Sequence, residues 1–365
     1  MKCDVIVLGG GIIGLSTAIQ LLLKGAKVTV LERSRVGLES SWAGGGILSP
    51  IYPWNYPAAI NRLCEYSNQL FPQWISYLTK LSGIDPEYVV SGMRILTFPD
   101  RNKIEDWCRE YNIKMKYSLM SEAYLSSDQF LHQNILDKED DLSVFLPEIA
   151  QVRNPRLLKA LHKALLKLGG RIIENCDVNA LNVSNHKINA LITSNGQIDA
   201  DDYVVCAGAW SKELLVKSAS GVDVKPIRGE MLLFKFDTPP IANILVKEDV
   251  YVIPRKDGFL LVGSTLEDVG FDKKITMNAR TYLYEKAQEL LPALKEMPII
   301  KQWAGLRPFS EKALPYIGRH SSIPNLFINT GHYRYGIAMA PASAEILVNE
   351  IIKQPQRIDT SSYQP

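Results

Sequence analysis

Three glycines spaced Gly9-x-Gly11-x-x-Gly14 follow an apolar, β-branched run, Lys2 to Leu8. They open a stretch of helical length, Ile12 to Lys24, which stops at Gly25. A second apolar run, Lys27 to Leu31, completes a strand–helix–strand unit of about thirty residues. In this setting each glycine has a mechanical reason. Gly9 permits the tight turn, Gly11 lets backbone approach a pyrophosphate, and Gly14 lets helix pack on strand. Ile12 and Ile13 then begin a helix whose free N–H groups and positive end suit phosphates. Glu32 ends the second strand, where its carboxylate accepts from both ribose hydroxyls and repels a 2′-phosphate. The unit predicts a site for the ADP half of a dinucleotide and does not by itself choose between NAD and FAD.

The same segment could pass for a membrane helix or a secretion signal. Glycines, Ser16, Thr17 and Gln20 interrupt it, Lys2 and Asp4 precede it closely, and LLLKGAKV offers no small-residue cleavage site, so neither insertion nor export is expected. The 41 basic and 39 acidic residues leave a formal charge of +2, too small a field to attract nucleic acid or an anionic membrane. Five scattered cysteines, Cys3, Cys64, Cys108, Cys176 and Cys206, form no CxxC pair. They read as reduced thiols of a cytoplasmic protein, with neither a disulfide framework nor a metal site.

Along the rest of the chain, apolar spacing predicts a helix from Pro57 to Leu81, kinked or divided at Pro72, and a strand from Tyr88 to Phe98. Short helices are expected over Arg101–Tyr111 and Ser118–Leu125, and DKEDD at 137–141 reads as a solvated loop. Asn154-Pro155 opens a helix that ends at Gly169-Gly170. Four strand-like runs follow, two of which, Ile188–Thr193 and Ile198–Ala200, flank an Asn-Gly turn signal. DYVVCAGAW at 202–210 repeats the opening grammar of strand, glycine and helix. Residues 226–306 are strand-rich with a helix near Ala279–Leu291. Short apolar runs over Pro315–Asn329 precede a closing helix, Gly336–Ile352.

Two glycine-bounded loops speak for flavin. LESSWAGGGILSP at 38–50 supplies the hydroxyls of Ser40 and Ser41 and the bare backbone of Gly45 and Gly46 to a second phosphate and a flat ring. GHYRYGIAMAP at 331–341 points N–H groups at an electron-rich ring edge. Loops this far apart in sequence suit a large bound flavin.

Together, GGGIIG, Glu32, ESSWAGGGILSP, CAGAWS at 206–211, WAGLRP at 303–308 and GHYRYGIAMAP resemble the FAD-dependent D-amino acid oxidase family. Within it they are most similar to the glycine oxidases of thiamine biosynthesis. The resemblance runs end to end. It implies an α/β fold in which a Rossmann-type FAD-binding domain (1–50, 150–218 and 312–365) interleaves with a substrate domain of mixed β-sheet plus helices (51–149 and 219–311). Residue by residue, it implies that Glu32 and Arg33 hold the adenosine ribose and that Ser40, Ser41, Gly45, Gly46, Ile47 and Leu48 meet the pyrophosphate and flavin. Val178 meets the adenine through its backbone, and Gly208 and Trp210 join the cofactor site. His332, Tyr333, Arg334, Tyr335, Gly336 and Ile337 line the flavin. Arg307 matches the arginine that grips a substrate carboxylate, Tyr251 the tyrosine that assists it, and Arg334 a residue beside the substrate. Leu266 stands where some glycine oxidases carry methionine, which bears on fine substrate preference.

The expected activity is oxidation of glycine, sarcosine, D-alanine or similar small amines to the imine or keto acid, with O2 as acceptor and release of hydrogen peroxide. The resemblance also implies a homo-oligomer, tetramer or dimer. No cysteine follows Cys206, so FAD is expected to be non-covalent. Two alternatives remain at this point: a D-amino acid dehydrogenase passing electrons to a quinone, and a non-catalytic FAD-binding redox module.

Overall fold

The computed structural model describes residues 3–98, 100–119, 122, 142–216 and 221–365. Its first strand, Cys3–Leu8, lies between Val28–Leu31 and Ala200–Val205 and runs parallel to both. The six-stranded sheet grows outward to Arg171–Ile173 on one side and to Leu326–Thr330 and Tyr316–Arg319 on the other, with only this last pair antiparallel. Successive side chains on these strands serve opposite cores. Val5, Val7, Val28 and Val30 pack with the helices Ile12–Leu23, Ala58–Ser82, Asn154–Lys167 and Gly336–Ile351. Ile6, Leu8 and Leu31 pack beneath the small antiparallel sheet of Val178–Ser184, Lys187–Thr193 and Gly196–Ile198. Strands buried on both faces are why the sequence reads as unbroken apolar runs there.

A second sheet has eight strands in the order Lys301–Ser310, Val224–Lys235, Phe259–Gly263, Val250–Pro254, Ile244–Lys247, Met93–Ile95, Leu142–Leu146 and Lys116–Leu119. Its one parallel contact joins Ile244–Lys247 to Met93–Ile95. The helix Met277–Leu290, capped by Thr276 Oγ1 accepting from the Ala279 N–H, packs on one face. The helix Arg101–Glu110, capped by Asp100, joins a core on the other. The architecture is the α/β fold expected from sequence, a Rossmann-type sheet beside a mixed sheet with helices.

Two expectations change, and of the two outcomes expected at Pro72 division is excluded. Pro72 neither divides nor ends its helix, which runs unbroken from Ala58 to Ser82. A proline there removes one backbone bond at about 3 kcal/mol, whereas Leu63, Tyr66, Phe71, Ile75 and Leu78 are buried on either side of it. At about 1.5–3 kcal/mol for each fully buried side chain, packing wins. Tyr88–Phe98 is two short strands in different sheets, because Gly92 takes φ 69 and turns the chain between them. Lys116–Leu119 is a strand paired with Leu142–Leu146, so the helix expected from Ser118 does not start there. Apart from Glu122, the rest of that expected helix and the DKEDD loop lie outside the described residues. The Asn-Gly hairpin forms with Thr193 paired to Gly196 across Ser194-Asn195, and Gly196 takes φ 103. Among the described residues no helix is long and apolar enough to cross a membrane.

Candidate active site

The site begins where Cys3–Leu8 meets Ile12–Leu23. Gly9 takes φ 113, and a Cβ on it would stand 2.4 Å from the Cys206 carbonyl oxygen. A Cβ on Gly14 would stand 1.9 Å from the Gly9 oxygen, so Gly14 serves helix-on-strand packing and does not line the cavity. Of the first N–H groups of the helix, Ile12 donates to Ser41 Oγ at 3.0 Å, and those of Ile13 and Gly14 find no acceptor among the described residues. A helix start with unfilled donors is an anion site. The buried Glu32 carboxylate accepts from the Gly10 N–H at 2.8 Å and the Ser34 N–H at 3.0 Å, which fixes it at the same rim. The Arg33 guanidinium lies 3.6 Å from the centre of the Trp210 ring and 3.5 Å from Glu39.

From this rim a cavity of about 440 Å³ runs between the sheets. Gly9, Gly11, Ile12, Ile13, Glu32 and Arg33 line its first part, with Val178, Gly208 and Trp210 beside them. Ser40, Ser41, His332, Tyr333, Arg334, Gly336 and Ile337 line its second, which reaches Arg307. Burial holds the His332 imidazole at about pKa 3, hence neutral, with Nε2 bonded to Ser343 Oγ at 3.0 Å. The loops stay in place through residues the sequence did not single out for function. Asn154 Nδ2 donates to the carbonyls of Ser41 and Gly44, and the buried Arg255 donates to that of Gly45 at 2.7 Å. Asn154-Pro155 read only as a helix opener, and Arg255 had no signal at all. Cys176 and Cys206 sit in connections between elements and line the cavity.

Arg307, Arg334, Ser40, Gly44 and Ile337 also bound a second chamber of about 80 Å³. It adds Gly45, Gly46, Ile47, Tyr335 and Tyr251, so almost all the residues expected to meet cofactor or substrate converge on two adjoining spaces. The exception besides Gly14 is Leu48, which is 1% exposed within the core. Leu266 is exposed and lines neither space.

In the chamber, Arg307 donates from Nη1 to the Thr265 carbonyl at 3.0 Å and from Nη2 to Ser264 Oγ at 2.6 Å, and no Asp or Glu pairs with it among the described residues. Burial lowers its pKa from the usual guanidinium value, and the Arg334 charge acts in the same direction. An immobilised fork without a carboxylate of its own is suited to a carboxylate from solution. Among the described residues the Tyr251 hydroxyl donates only to the weak acceptor Met231 Sδ, at 4.0 Å, a bond that a stronger acceptor beside the fork would displace. Gly229, which no sequence signal marked, makes the arrangement possible, since a Cβ there would fall 2.0–2.3 Å from the guanidinium.

The donor set fits FAD. Unfilled helix N–H groups and a ribose-ready carboxylate stand at one end, and glycine-lined loops meet a cationic fork at the other. The FAD dependent oxidoreductase model, DAO, matches residues 4–350. The chain belongs to that family. A glycine oxidase of Pseudomonas aeruginosa is 37% identical over 100% of this chain and 99% of its own. A bifunctional protein ThiO/ThiG of Trichormus variabilis is 32% identical over 97% of this chain but only 53% of its own. Among solved structures, glycine oxidase from Bacillus cereus superposes with a TM-score of 0.87 at 29% identity, covering 97% of this chain and 96% of the other. This FAD-dependent oxidoreductase therefore has its cofactor class fixed by family, and its chamber geometry bears on the substrate.

Proposed function

We propose that the protein is a glycine oxidase, acting on glycine and on small amines such as sarcosine and D-alanine. The observation that carries this reading is the Arg307 fork, free of any protein carboxylate, in a chamber of about 80 Å³ beside Tyr251. That volume suits a substrate of a few heavy atoms. Arg307 and Tyr251 hold the substrate carboxylate and so place its α-carbon. The positive charges of Arg307 and Arg334 disfavour an ammonium nearby, so the amine sits neutral and its lone pair assists departure of the α-hydride. Among the described residues no Asp, Glu, His or Lys lines the chamber, and on this reading none is needed for proton abstraction. Bound FAD, held non-covalently, supplies the acceptor for the hydride and the route of its electrons to O2, yielding hydrogen peroxide. The imine hydrolyses to the keto or aldehyde acid and ammonia, or is used directly in thiamine (thiazole) biosynthesis. We place the enzyme in the cytoplasm as a homo-oligomer, dimer or tetramer.

Purified FAD-loaded protein tested against glycine, sarcosine, N-ethylglycine, D-alanine, D-proline and L-proline should release peroxide, fastest with the smallest amines. Flavin reduction without peroxide would favour the quinone-linked dehydrogenase. No reduction by any of the six would leave a non-catalytic flavin module.

A further inference from the structure

The connection from Ser264 to Thr276 belongs to the substrate side of the molecule, yet its middle touches the rim of the cofactor cavity. Its base is fixed on both flanks to the strand Val224–Lys235. Glu267 pairs with Arg228 through backbone and through its carboxylate at 3.1 Å, Asp268 with Lys225 at 3.1 Å, and Thr276 with Glu230 through its N–H and hydroxyl. Between these anchors Phe271 is 38% exposed and belongs to none of the hydrophobic cores. Its ring stacks on Trp210, centroids 5.5 Å apart and planes 28° from parallel. Two residues on, Lys273 Nζ bonds both Glu39 carboxylate oxygens at 3.0 Å. Trp210 and Glu39 both contact Arg33, and all three line the cavity where Glu32 waits for the ribose. A half-exposed phenylalanine that serves no core is explained if its work is done at that rim.

We propose that Phe271 and Lys273 are positioning residues for FAD. They hold Trp210, Arg33 and Glu39 in place from across the domain boundary and so slow release of the cofactor. The inference rests on FAD occupying this cavity. An aromatic pair outweighs a surface ion pair, so Phe271 carries more of the effect than Lys273. Both residues act from outside the glycine motif, where a search for nucleotide signatures does not look.

Release of FAD, followed by recovery of flavin fluorescence after dilution of the holoprotein, reads this directly. Phe271→Ala should raise the FAD dissociation rate and Kd about threefold to tenfold. Lys273→Ala should raise them about twofold at low salt and not measurably at high salt. The apoprotein Tm should stay at its original value in both, and Phe271→Trp and Lys273→Arg should restore slow release. Val269→Ala, on the same connection but away from the rim, should release FAD at the original rate. Original release rates in Phe271→Ala and Lys273→Ala would overturn the proposal, and so would equal acceleration by Val269→Ala, which would mark general loosening of the segment. If the unaltered protein bound no FAD, the reading of the cavity itself would fall, a different result from FAD bound and released at one rate by every variant.

Discussion

At Gly229 the strand Val224–Lys235 carries no side chain because the Arg307 guanidinium occupies that space, 2.0–2.3 Å from where a Cβ would be. Gly229→Ala should therefore push the fork off Ser264 and Thr265 without opening a core. A displacement of about an ångström in a positioning group reduces kcat/KM by on the order of a hundredfold. The loss should appear mainly in KM for glycine, with FAD still bound and the circular-dichroism spectrum unchanged. An unaltered KM would mean the fork does not hold substrate. The resemblance drew attention to Arg307 and Tyr251, whereas nothing in the sequence marked Gly229. Its reason is a side chain 78 residues away that arrives only when the two strands pair, with Gly229 opposite Gly305.

The strand–helix–strand unit was legible nearly to the residue because its signals are local: apolar runs, a glycine turn and a stop at Gly25. Gly14→Ala tests that unit as a unit. Its methyl would meet the Gly9 oxygen at 1.9 Å and lever Ile12–Leu23 away from Cys3–Leu8. Overpacking of this kind costs about 1–3 kcal/mol, so Tm should fall by about 1–4 °C, and the protein should purify with less flavin. Retained Tm and colour would contradict the packing role. Elements whose partners are distant were read less well. Tyr88–Phe98 looked like one strand because neither Ala150–Gln151 nor Ile244–Lys247, its separate partners, is visible from within it. Asn154 and Arg255 carry no local signal of their role for the same reason, since their partners at Ser41, Gly44 and Gly45 lie more than a hundred residues away.

For the molecule as a whole, the two sheets are built from interleaved segments, and the cofactor and substrate spaces open where they meet. The helix Ala58–Ser82 lies in the stretch assigned from sequence to the substrate side, yet it shares its core with the nucleotide sheet. Its apolar face says that it packs and not against what. Arg307 stands on the edge strand of the larger sheet and lines both spaces, so the carboxylate clamp proposed for it sits where the cofactor cavity adjoins the chamber. Mixing oxidised, FAD-loaded protein with glycine in the absence of O2, for the unaltered chain and for Arg307→Ala, tests that junction most directly. Saturable loss of the oxidised-flavin absorbance is expected, with half-saturation about 10- to 100-fold higher in Arg307→Ala, the loss expected for a charge-assisted hydrogen-bonded pair. Flavin that stays oxidised with glycine in the unaltered protein, or identical half-saturation in the two proteins, would contradict it.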